Sequence, residues 1–144
     1  METLAQLRET LPRFTELGIR VACVVQGTAI EMARFCGRHG VEAICIPDPG
    51  LESYRAMGLE RTNWWNILFP KPEGHRRRAA AKAAGCPISL EGTFQKHSDV
   101  LQLPGAALVA PGGKILWLHR GTATYDLPAP TELLTRVSTQ LAGR

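Results

Sequence analysis

Apolar residues along this chain fall first into helix-spaced stripes and then into short continuous runs. Leu4, Leu7, Leu11 and Phe14 recur at three- and four-residue steps, with Glu2, Arg8, Glu9 and Arg13 between them. That spacing predicts a helix over 1–17, kinked at Pro12 and ended by Gly18. Residues 20–26 (Arg-Val-Ala-Cys-Val-Val-Gln) are apolar without alternation. They predict a strand covered on both faces, as in a parallel sheet. Thr28 followed three positions on by Glu31 is a capping box. It opens a helix carrying Ile30, Met32, Ala33, Phe35 and Cys36, expected to end between Gly37 and Gly40. A second short buried strand over 43–46 is stopped by Pro47-Asp48-Pro49-Gly50. A short helix over 51–58 holds Leu51, Tyr54 and Met57. The order helix, strand, helix, strand, helix predicts an α/β fold.

The second half opens on an apolar cluster, Trp64, Trp65, Ile67, Leu68 and Phe69, closed by Pro70 and Pro72. A short basic helix is expected over 76–84, ended by Gly85-Cys86-Pro87. The whole stretch from about 60 to 100 reads as a helical insertion and loop. Residues 101–120 then give a β-hairpin: two apolar runs, 106–110 and 115–119, joined by Pro-Gly-Gly-Lys. Pro104 cannot donate to a ladder, so it marks where the first strand begins. After a loop over 121–130, Pro130 suits the first turn of a closing helix. Leu133, Leu134, Val137 and Leu141 form its stripe.

A length of 144 residues suits one domain, 1–144, with its own core. No run approaches the roughly 20 apolar residues that span a bilayer, and the first residues lack a secretory pattern. The expected location is the cytoplasm, with no membrane partner. The net charge of +4 is mild, and Arg76-Arg77-Arg78 are concentrated in one spot. A balance of that kind gives no expectation of nucleic-acid binding. The four cysteines, Cys23, Cys36, Cys45 and Cys86, include no CxxC pair. No disulfide framework is expected, and Cys23 and Cys45 read as small buried hydrophobes.

Among reactive groups, Cys86 stands beside three arginines, whose charge favours the thiolate. It is the candidate catalytic thiol; the alternative is an inert, partly buried cysteine. Cys36 is worse placed, because a helix C-terminus disfavours an anion. Trp64 and Trp65 are candidates for lining a substrate groove, and as neighbours they cannot both face one core. Asp48 between two prolines reads as a turn residue. His75, His97, His119 and Cys86 are not at ligand spacing, so no metal and no cofactor is expected.

Two segments carry a family likeness. Ile46-Pro47-Asp48-Pro49 followed by Tyr54-Arg55-Ala56-Met57-Gly58-Leu59 resembles the peroxiredoxin-like branch of the thioredoxin superfamily, the alkyl hydroperoxide reductase and thiol-specific antioxidant proteins. Asp99-Val100-Leu101-Gln102-Leu103-Pro104-Gly105, continuing through Pro111-Gly112-Gly113-Lys114-Ile115 to His119, resembles the same branch. The resemblance implies an α/β, thioredoxin-like sheet with flanking helices. It implies thiol-dependent reduction of peroxides through a sulfenic acid, with a thiol reductant as partner. It also implies that Pro104, preceded by a cis peptide, presents backbone to substrate beside the active thiol. The family's Cys-x-x-Cys motif at the start of the first helix, and the strand before it, have no match here. The expectation is therefore an N-terminally abbreviated fold with a truncated active site, lacking the peroxidatic cysteine. A longer natural chain, closure of the hairpin onto strand 20–26, or a second copy docked at the exposed sheet edge would each complete such a fold. The alternative function is a non-catalytic thioredoxin-fold module for binding or dimerisation.

Overall fold

The structure is a computed structural model that describes residues 2–39, 44–69, 71–83 and 99–143. Two compact units divide the chain. The first takes in Met1–Leu51 and Pro128–Arg144; the second takes in the residues from Glu52 to Thr93 and from Asp99 to Leu127.

In the first unit, α1 spans Glu2–Glu16 and includes Pro12. Gly18, at φ 73°, ends it. The Gly18 N–H donates to the Thr15 carbonyl and the Ile19 N–H to the Phe14 carbonyl, at 2.9 Å each. This pair of bonds is the Schellman arrangement, which only a left-handed residue such as glycine closes without strain. Leu7 and Phe14 are buried, and Thr10 between them donates its hydroxyl back to the Gln6 and Leu7 carbonyls. The last helix, α6 (Pro130–Ala142), packs against α1 and buries Leu134 and Val137. Pro130 sits in its first turn and is buried, as its missing N–H allows.

Between these helices in sequence lie β1 (Ala22–Val25), α2 (Ala29–His39) and β2 (Ile44–Pro47). The strands pair in parallel with Ala22 opposite Ile44, Cys23 opposite Cys45, Val24 opposite Ile46 and Val25 opposite Pro47. The capping box forms: the Glu31 carboxylate accepts from the Thr28 N–H at 2.7 Å, and the Thr28 hydroxyl accepts from the Glu31 N–H at 3.4 Å. α2 runs on through Gly37 and packs against β2. One expectation fails here. The strands are not covered on both faces: Val24, Ile44 and Ile46 are 38%, 51% and 41% exposed. Burial alternates along both strands, so this two-stranded sheet has one sheltered face and one open apolar face.

The second unit holds α3 (Glu52–Ala56), α4 (Trp64–Leu68), α5 (Pro72–Ala83) and the hairpin of β3 (Gly105–Val109) and β4 (Ile115–Arg120). Gly58, at φ 66°, closes α3 by the same pair of bonds that ends α1, through Leu59 to Tyr54 and Gly58 to Arg55. The hairpin is antiparallel, with Ala106 opposite His119 and Leu108 opposite Trp117. The register then shifts so that Val109 faces Ile115 and Leu116 is the extra, bulged residue. Arg61 bridges Gln102, and flanking bonds join Leu103 N–H to the Glu60 carbonyl and Thr62 N–H to the Leu101 carbonyl. This pairing carries the chain straight into β3. The Arg61 guanidinium clasps Asp99 at 2.6 Å and, with the Leu101 N–H, holds that carboxyl below its usual range.

Two substitutions test these local devices. Thr28→Ala removes one partner of the capping box and should lower stability by about 1 kcal/mol. Gly121→Ala should cost more, about 1–3 kcal/mol. A Cβ there would lie 2.7 Å from the Asp126 carbonyl and 2.8 Å from the Pro104 carbonyl, both backbone atoms. Urea unfolding monitored by circular dichroism measures both.

Candidate functional site

Three of the cysteines meet in the first unit. Cys36 lies four residues after Met32, hence on the same face of α2, and both are half-buried. That face meets β2, and Cys36 is disulfide-bonded to Cys45, the two Cα atoms 7.2 Å apart. This corrects two expectations: a disulfide is present, and Cys45 is not an inert apolar filler. Cys spacing did not reveal it, because the partners are separated by 9 residues and meet only through the strand-helix-strand crossover. The signal available was the capping box, which fixes where α2 starts and so which face Cys36 occupies.

Cys23 is the free cysteine among the described residues and is half-buried. Register places it directly opposite Cys45. Residues paired in this way project to the same face of a sheet, about 4.7–4.9 Å apart along the hydrogen-bonding direction. Burial agrees, since Cys23 and Cys45 both occupy the sheltered positions of their strands. Desolvation pushes the Cys23 thiol up from its ordinary value, so it stays protonated at neutral pH.

In the second unit, Pro104 precedes β3, and its carbonyl accepts from the Gly121 N–H at 2.8 Å. The expected cis bond is not found: the Leu103–Pro104 peptide is trans. A trans link continues the extended course set by the Glu60–Leu103 bond into the hairpin. Beside it, His119 Nε2 lies 3.1 Å from the Asp126 carbonyl and 3.3 Å from its carboxylate. Burial raises the Asp126 pKa, but the Thr122 N–H and hydroxyl, with His119, outweigh it and hold the carboxyl below its usual value. Arg120 donates to the Met57 carbonyl at 2.7 Å.

Trp64 and Trp65 are both exposed, at 56% and 69%. The expectation that they cannot share a core therefore holds in its stronger form. The Trp65 ring packs 4.5 Å from that of Phe69. Counting along the antiparallel register from the Arg61–Gln102 bridge, Leu59 falls level with Pro104 and the chain then runs away from Pro104 toward Trp64. Cys86 lies outside the described residues.

A family model described as AhpC/TSA antioxidant enzyme matches residues 6–123. It carries a thioredoxin-like fold, with which the helices and small sheets of the chain agree. No curated protein and no solved structure matches. No helix among the described residues is long and apolar enough to cross a membrane.

The Cys36–Cys45 bond closes a short loop, and loop-closure entropy assigns such a link about 2–3 kcal/mol. Adding a reductant should lower the urea midpoint correspondingly, and Cys45→Ser should remove that sensitivity.

Proposed function

The chain belongs to the AhpC/TSA antioxidant enzyme family, and from that premise we propose that it is a thiol-dependent peroxide reductase whose electrons come from Cys36 and Cys45. The observation that supports this reading is the disulfide joining those two residues. In the reduced form one thiolate attacks the O–O bond, becomes a sulfenic acid and releases the alcohol after proton transfer. The second thiol condenses with the sulfenic acid, releasing water and leaving the disulfide. One peroxide is thereby reduced by two electrons, and the dithiol is oxidised. An external thiol reductant returns the disulfide to the dithiol.

Position divides the roles between the two sulfurs. Cys36 sits in the C-terminal half of α2, where the helix dipole opposes a thiolate. Cys45 lies on a strand, away from that field. Cys45 is therefore the attacking sulfur and Cys36 the one that resolves the sulfenic acid. No residue of the family's Cys-x-x-Cys motif takes part in this scheme.

A second reading, a binding or dimerisation module without catalysis, draws on two exposed apolar groups. One is Val24, Ile44 and Ile46 on the open face of the first sheet. The other is Trp64, Trp65, Leu68 and Phe69 on and just after α4. Both suit a protein surface.

Peroxide consumption separates the readings. Pre-reduced protein should consume about one hydrogen peroxide per chain and close Cys36–Cys45, faster than free dithiothreitol does. Cys45→Ser should abolish that reaction. The double variant Cys23→Ser/Cys36→Ser should leave a sulfenic acid on Cys45 that dimedone traps, and Cys86→Ser should behave as the parent. Loss of activity in Cys86→Ser alone would move the chemistry to Cys86. Inactivity of the parent would favour the binding module.

A further inference from the structure

We propose that Cys23, Cys36 and Cys45 form a thiol–disulfide exchange site, in which Cys23 displaces Cys36 from Cys45 and the chain passes between two disulfide isomers. The inference goes beyond peroxide reduction and does not depend on it. It rests on register: parallel pairing sets Cys23 level with Cys45 on the neighbouring strand, while Cys36 reaches the same sulfur from α2. One sulfur is thus flanked by an attacking group on one element and a leaving group on another.

The step balances within the chain. The Cys23 thiol gives up its proton and its sulfur attacks Cys45 Sγ. A Cys23–Cys45 bond forms, the Cys36–Cys45 bond breaks, and Cys36 leaves as a thiolate that takes up a proton. One thiol and one disulfide exist before and after, so neither oxidant nor reductant is consumed. The product is sterically available, because adjacent strands hold paired Cα atoms within the 4.4–6.8 Å range that a disulfide bridges. Burial keeps Cys23 in its protonated form, which slows the attack without blocking it.

The two isomers differ in what they tie together. Cys36–Cys45 fastens α2 to β2. Cys23–Cys45 fastens β1 to β2 and releases the Cys36 thiol on a half-buried position of α2. The released Cys36 thiol can then attack an external disulfide, forming a mixed disulfide while the other half of that disulfide leaves as a thiolate and takes up a proton. Cys23 thereby serves as a shuttle between the strand pair and the outside.

Trypsin makes the test direct, because cleavage after Arg20, Arg34, Arg38 and Arg55 puts each of the three cysteines on its own peptide. The oxidised, full-length protein is incubated without peroxide or reductant. It is then quenched with N-ethylmaleimide, taken as the monomer band on a non-reducing gel, digested and mapped by mass spectrometry. The expected result is two linked species, 35–38 with 39–55 and 21–34 with 39–55. The second should make up about one tenth or more of the total, with maleimide on Cys36 in the same share. Failure to find the 21–34 to 39–55 linkage would overturn the proposal, as would its growth in step with a 21–34 to 35–38 linkage, which marks unspecific scrambling. Because the experiment contains no peroxide, a negative result leaves the peroxide reading standing, and an inactive enzyme leaves this one standing.

Discussion

The parallel pairing of β1 with β2 is the constraint on which the cysteine cluster of this chain depends. Parallel neighbours cannot be joined by a tight turn, so a crossover must return the chain to the same end of the sheet. Here the crossover is α2, and its start is fixed by the reciprocal Thr28–Glu31 bonds. From that start the helical period delivers Cys36 to the face that meets β2. The pairing register sets Cys45 level with Cys23. A one-residue slip of either strand would send one of these sulfurs to the opposite face. Strand register, helix phase and capping thus have to agree before three cysteines can share one neighbourhood.

The second unit is held differently, by backbone bonds that converge on the entry to β3. Leu103 N–H binds Glu60, Pro104 carbonyl receives Gly121 N–H, and Gly105 lies against the Leu59 side chain. Gly121 tolerates this approach because it has no Cβ to place among the carbonyl oxygens of Pro104 and Asp126. Side-chain bonds from Arg61 to Asp99 and from Thr122 to Asp126 close the loops at either side. Both carboxyl groups are held below the ordinary carboxylate range. Their contribution to folding is therefore fully present above that range and is lost as pH falls from it down through their depressed values. The exposed Arg61–Asp99 pair is the weaker of the two, because solvent screens a guanidinium that is mostly in water.

Most of the element order was legible from local chemistry. The stripe of Leu7, Leu11 and Phe14, the capping box, the two glycine-closed helix ends and the Pro-Gly-Gly-Lys hairpin each rest on contacts a few residues apart. Sequence expresses such contacts directly. What sequence did not express was set by meetings between distant residues. The apolar runs of β1 and β2 looked fit for burial on both faces, yet composition alone cannot say how many layers will cover a strand. Cys45 looked like a hydrophobic filler because its partner on α2 is brought to it only by the crossover. The chain entering Pro104 is held by the Leu103 N–H on the Glu60 carbonyl, more than 40 residues earlier.

The thiol site follows from the same distinction between local and distant causes. Reactivity of a cysteine is set by how well its surroundings hold the thiolate, and here the surroundings do so poorly. Cys23 is desolvated, and Cys36 faces the unfavourable end of a helix field. What the fold supplies instead is proximity, which raises the effective concentration of one sulfur beside another by a large factor. A slow nucleophile held permanently beside its target can still outrun a faster one that must arrive by diffusion. For this cluster, then, which sulfurs react with one another is decided by strand register and helix phase, and only the rate is left to electrostatics.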